Sequence, residues 1–192
     1  MLIASASRAL ALLSLLLLAG CADRPATAVP LQWREQGRAV QAELVPDRLR
    51  IVGATDVASI RRALPAATAV EVDEAGAVVR FAAVDAASLA DHARQLSAFG
   101  EVQAAIRDDR GDGWLGHRLT AALPAGTDAA AIAARHGLIL SERPAYAPAH
   151  AIFASDPATL TSAVTAAAAL VTAGDASEAT PLVHRQARPR AR

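Results

Sequence analysis

Thr55-Asp56-Val57-Ala58-Ser59-Ile60 returns 72 residues later as Thr127-Asp128-Ala129-Ala130-Ala131-Ile132, and Phe81 and Phe153 keep the same offset. A repeat of this period limits a 192-residue chain to two copies of one small unit. Alanine supplies about a quarter of the chain and inflates residue identity. The stronger sign is that the order of expected elements repeats as well. In the first copy, residues 38–44 and 49–52 alternate like strands around a Pro46-Asp47 turn. Thr55 offers a cap to a helix carrying Val57, Ile60 and Leu64, which Pro65 stops. A hairpin follows over residues 69–73 and 77–82, with Gly76 in its turn. Asp85 caps a second helix bearing Leu89, Ala93 and Leu96, and residues 101–106 read as the last strand.

The second copy gives a strand over 117–123, a helix over 127–136 closed by Gly137, and paired strands over 138–142 and 150–154. Asp156 begins a helix with Leu160, Val164 and Leu170, and residues 179–183 form the last strand. Both copies therefore read β-α-β-β-α-β. The expected class is α+β: two tandem ferredoxin-like units, antiparallel sheets with helices on one face. The first unit is assigned to residues 37–108 and the second to 117–184. The polar stretch Asp108-Asp109-Arg110-Gly111-Asp112-Gly113 reads as a linker.

The N-terminus reads as an address. Met1 to Arg8 is a short basic start, and the apolar run that follows is shorter than the ~20 residues a spanning helix needs. It ends in Leu18-Ala19-Gly20-Cys21, which resembles the bacterial lipobox, and Cys21 is the only cysteine. The resemblance implies a lipoprotein signal peptide over 1–20 and acyl chains on Cys21 that hold the protein to a membrane. Residues 21–36 are then a lipidated tether. Ala22, rather than aspartate, follows the cysteine. The expected location is the bacterial cell envelope, at the outer membrane facing the periplasm. Residues 185–192 form a basic tail with Arg185, Arg188, Arg190 and Arg192 behind a mildly acidic body.

Composition excludes several functions. Acidic and basic residues balance at 19 each, which argues against a nucleic-acid binder, and the expected sheets lack stacking aromatics for RNA. A nucleophilic hydrolase would need an activated Ser or Cys beside a base, and there is no Gly-x-Ser-x-Gly elbow. His92, His117, His136, His150 and His184 are scattered without metal-ligand spacing, and no Gly-rich phosphate loop occurs. The carboxylate pairs Asp73-Glu74 and Asp108-Asp109 read as solvated turn charges. Arg110-Gly111-Asp112 spells an integrin tripeptide but is ordinary turn chemistry, and Arg61-Arg62 reads as a solvated helix face. The expectation is therefore no catalytic residues, metal, cofactor or small-molecule substrate.

The second copy resembles the N-terminal prodomains of secreted subtilisin-like serine proteases, in particular the fervidolysin-like prodomain. The resemblance lies in the strand His117-Arg118-Leu119-Thr120-Ala121-Ala122-Leu123, the turn Pro124-Ala125-Gly126-Thr127 and the helix over 129–137. Ala151-Ile152-Phe153 and Ala179-Thr180-Pro181-Leu182 complete it. The first copy, through Leu44-Val45-Pro46-Asp47-Arg48-Leu49, looks like a more degenerate version. The resemblance implies a sheet that packs on a protease and a last strand that runs into its cleft. Ala179, Thr180, Pro181, Leu182, Val183 and His184 would then be the partner-binding residues. With no catalytic domain after Arg192, the chain would act in trans, as inhibitor or folding chaperone of an exported subtilisin-like protease. A second reading is a structural or adaptor lipoprotein that binds another envelope protein, its Arg tail touching anionic lipid at about 1 kcal/mol per Arg.

Overall fold

The computed structural model of the chain describes residues 29–82 and 84–185. The expected signal peptide, Cys21 and tail residues 186–192 lie outside them. The described chain is α+β, with nine strands in one antiparallel sheet and four α-helices. The strands are β1 (Val29–Glu35), β2 (Arg38–Val52), β3 (Ala67–Asp73), β4 (Gly76–Phe81), β5 (Val102–Asp108), β6 (Gly111–Ala122), β7 (Ile139–Glu142), β8 (His150–Ala154) and β9 (Glu178–His184). The helices are α1 (Val57–Ala63), α2 (Ala86–Leu96), α3 (Ala129–Arg135) and α4 (Ser162–Thr172).

The sheet runs β3-β4-β2-β5-β6-β8-β7, with β1 also on β2 and β9 also on β6. Residues 38–108 thus place their strands side by side as β5-β2-β4-β3, and residues 111–184 as β9-β6-β8-β7. Both are the order fourth, first, third, second, and every neighbouring pair is antiparallel. Ile60 of α1 and Leu89, Ala93 and Leu96 of α2 share one core with Leu49, Ile51, Val79 and Phe81. Ile132 of α3 and Ala163, Ala167 and Leu170 of α4 share another with Leu119, Phe153 and Ala179. Asp56, Asp85 and Asp128 cap α1, α2 and α3, their carboxylates accepting N–H bonds from Ser59 (3.0 Å), Ser88 (2.7 Å) and Ala130 (2.9 Å).

Several expectations are corrected. The two units do not have separate sheets. The stretch expected to link them is the Asp109-Arg110 turn of a hairpin in which Asp108 pairs with Gly111. Gly113 serves strand contact: a Cβ on it would lie 2.8 Å from Val183 Cγ1. The tether gives way to β1 from residue 29, because Leu31 and Trp33 alternate with polar residues and bury against the first core. The Pro46-Asp47 turn is instead an irregularity within one 15-residue strand, where the β2–β5 register shifts between Leu44 and Leu49. The caps also move: Asp56 rather than Thr55 caps α1. Asp156 caps no helix but a preceding turn, accepting the Ala158 N–H at 2.9 Å, while α4 starts after Thr161.

β1 joins the two halves. It pairs with β2 through the Gln36-Gly37 turn, in which both residues have positive φ (51° and 75°). This is the backbone that two-residue hairpins favour, though Gln36 is a side-chain-bearing residue held where glycine or asparagine is usual. Trp33 also lines a groove with Ala167, Ala168 and Val171 of α4.

Candidate interaction cleft

Among the described residues, β9 pairs with β6 on one side only. Pro181 fits that place, since a residue without an N–H is tolerated on strands with a free edge. Beside that edge lies a cleft of about 390 Å³ between β9 and the β1–β2 turn. Four of the six expected partner-binding residues line it: Thr180, Pro181, Leu182 and Val183. Ala179 does not, being buried in the second core, and His184 is exposed at the strand end opposite Trp114. All six are strand residues, and the ladder with β6 holds Glu178 through Pro181, Val183 and His184 in register.

The β1–β2 turn crosses over β9 and is bonded to it by side chains. The Thr180 hydroxyl donates to the Arg34 carbonyl at 3.0 Å, and the Gln36 N–H donates to the Glu178 carboxylate. That second bond fixes Gln36 in its positive-φ conformation.

One end of the cleft is an ion-pair network spanning three distant segments. Arg110 grips Glu35 with both terminal nitrogens, one of them at 3.1 Å from Oε1. This bond, above other causes, holds the Glu35 carboxyl below the usual range for glutamate. Asp108 has no exposed side-chain surface. It accepts the Arg110 N–H at 2.9 Å, faces Arg110 Nε at 3.6 Å and receives a bond from Arg185 Nη2. A buried carboxylate requires such partners. The solvated-turn reading of Asp108 is therefore corrected. Its partner lies 77 residues away, and nothing local marks the pairing. Asp73 is likewise no free turn charge: it pairs with Arg50 at 2.5 Å and accepts the Ala75 N–H at 2.8 Å. Arg50 also lies over the Trp114 ring, at 4.4 Å from its centroid.

The remaining polar clusters are internal ties. His136 Nε2 stands 2.7 Å from Asp175, which also binds Arg135 at 2.5 Å. These bonds, that to His136 foremost, keep the Asp175 carboxyl below its usual range and fasten the end of α3 to the α4–β9 loop. The Ser155 hydroxyl donates to the His117 carbonyl at 2.7 Å and meets Ser162 at 2.8 Å. Of the Arg110-Gly111-Asp112 tripeptide, Arg110 is bound to Glu35 and Asp112 to Arg107 at 2.7 Å, so both charges are engaged within the chain. Among the described residues no group of three or more His, Cys, Asp or Glu is arranged to hold a metal ion. No helix among them is long and apolar enough to cross a membrane.

Comparison with protein-family models, with curated proteins and with solved structures finds no match to this chain.

Proposed function

We propose that the protein is a lipid-anchored, non-catalytic interaction module of the bacterial envelope. In this reading it acts in trans on an exported subtilisin-like serine protease, as a prodomain-like inhibitor or folding chaperone. The signal peptide over residues 1–20, acylation at Cys21 and placement at the outer membrane facing the periplasm belong to the same proposal. So does the finer fold reading, two ferredoxin-like units fused into one sheet. Its support is the antiparallel order fourth, first, third, second in both halves, the order of that fold.

The observation that carries the functional reading is the position of β9. It is the last strand of the second half, it has one unpaired edge, and it borders an open cleft. A strand so placed can deliver the chain that follows it to a partner's groove, where main-chain bonds give affinity and alternate side chains give selection. Thr180 and Leu182 are half-buried at the cleft wall, with Thr180 bonded to Arg34, while Ala179 serves the core.

The test is an inhibition constant against a panel of subtilisin-type and trypsin-type proteases, using the chain from residue 22 onward and the same chain ended after Arg185. Ending it after Glu178 would remove β9 and with it part of the second core, so the later cut is the informative one. Tight inhibition of the subtilisin type that is lost with residues 186–192 supports the proposal. A body that is intact yet inhibits nothing, and does not speed refolding of such a protease, refutes it in favour of an adaptor role.

A further inference from the structure

We infer that the β5–β6 turn is a clamp that fixes the C-terminal end of β9 through Arg185, with Asp108 as its positioning residue. The inference rests on the reading above, in which β9 and the chain running on from it meet the partner.

Four observations converge on the turn. The Asp108 side chain has no exposed surface, and Arg185, directly after β9, reaches back to it. The same guanidinium donates through Nη1 to the Gly111 carbonyl at 3.3 Å, so Arg185 is held at two points. Gly113 leaves room for this arrangement: a Cβ there would come within 2.8 Å of Val183 Cγ1 and 3.5 Å of Arg185 Nη1. The β6–β9 ladder, interrupted between Leu115 and Leu119, resumes with Leu115 opposite Val183 and Trp114 opposite His184.

Strand ends ordinarily fray. This one is tied down through its final residue and one beyond. Energy alone does not account for the device. A buried ion pair is often no more stabilising than apolar side chains of equal volume, and its best-attested use is to specify one geometry. The planar, two-point grip of an arginine suits that role. Arg110 extends it: bound to Asp108 on one side and Glu35 on the other, it ties the same turn to β1. The departure point of the chain is therefore fixed relative to both walls of the cleft.

The test compares the chain from residue 22 onward with its Asp108→Asn and Gly113→Ala variants, by amide hydrogen exchange and by inhibition constant. Gly113→Ala displaces Val183, two residues before Arg185, without touching the carboxylate, so it stands in should Asp108→Asn fail to fold. The expected result is about tenfold faster exchange at residues 182–185 with β4 unchanged. It is accompanied by weaker inhibition in the full chain, and by no further change in chains ended after Arg185. Unchanged exchange at 182–185, or the same factor lost at β4, overturns the clamp. Local loosening in a protein whose parent inhibits no protease keeps the clamp and rejects the protease reading instead.

Discussion

Trp33→Ala separates a folded β1 from a tether. Trp33 is 5% exposed; it packs in the first core and against the alanine face of α4. Truncating a buried tryptophan removes its transfer free energy and leaves a cavity, together about 3–5 kcal/mol. A domain of this length shifts its melting temperature by about 2–4 °C per kcal/mol, so the expected fall is about 6–20 °C. That is a large share of the 5–15 kcal/mol that typically holds a domain together. Urea denaturation followed through Trp114, with calorimetry for the melting temperature, measures it. Tyr146→Ala is the control, because Tyr146 is 89% exposed and its loss is expected to change stability by no more than about 0.5 kcal/mol. A Trp33→Ala variant destabilised by under about 1 kcal/mol would mean that residues 29–35 hang off the body, and the reasoning from burial to anchoring would fail.

Gly76→Ala is expected to be among the most damaging small substitutions, since its φ is +141° and a Cβ would lie 2.1 Å from the Ile51 carbonyl oxygen; soluble yield and melting temperature report it. Phe153→Ala, in the second half, is expected to cost about 3–5 kcal/mol. Because the sheet is continuous, it lowers the denaturation midpoint seen by Trp33 and Trp114 by the same amount, and two separate transitions would contradict a single cooperative body. Glu35→Gln removes the negative charge that Arg110 grips and leaves one acceptor oxygen in its place. The folded-state pKa of Glu35 lies below its ordinary value, so its contribution is complete above about pH 4.3 and fades as pH falls through the folded-state value. The variant is therefore less stable than the parent at pH 7, by under about 1 kcal/mol, and the gap closes in acid, as paired denaturation curves from pH 7 to pH 2 would record.

The repeat was legible because its signals are local. Asp85 and Asp128 sit one residue before helices whose apolar spacing is plain, and Gly137 and Gly174 take positive φ near the ends of α3 and α4 as their place after a helix suggests. β1 left a signal that was outweighed. Val29, Leu31 and Trp33 alternate as a strand does, but Pro30 and the neighbouring signal peptide suggested a tether. The hairpin of β5 and β6 was hidden by its own chemistry. Gly111 and Gly113 look like a flexible link, yet at Gly113, as at Gly116 beyond it, the missing side chain makes room, for Val183 and for the Glu101 carboxylate. The network at the cleft was illegible for a different reason. Asp108, Arg110, Arg185 and Glu35 are ordinary surface types, and only the fold brings them together from three parts of the chain.

The crossing of β1 over β9 also sets an order of events in folding. The Thr180 to Arg34 bond closes a span of 146 residues, whereas the β1–β2 and β5–β6 hairpins close across two-residue turns. Loop-closure entropy makes the long closure late. In synthesis β1 precedes α4, so the flank of Trp33 that faces Ala167, Ala168 and Val171 waits for that helix to follow. During that interval Trp33 has only the first core to bury against, so its full burial waits on the second half of the chain.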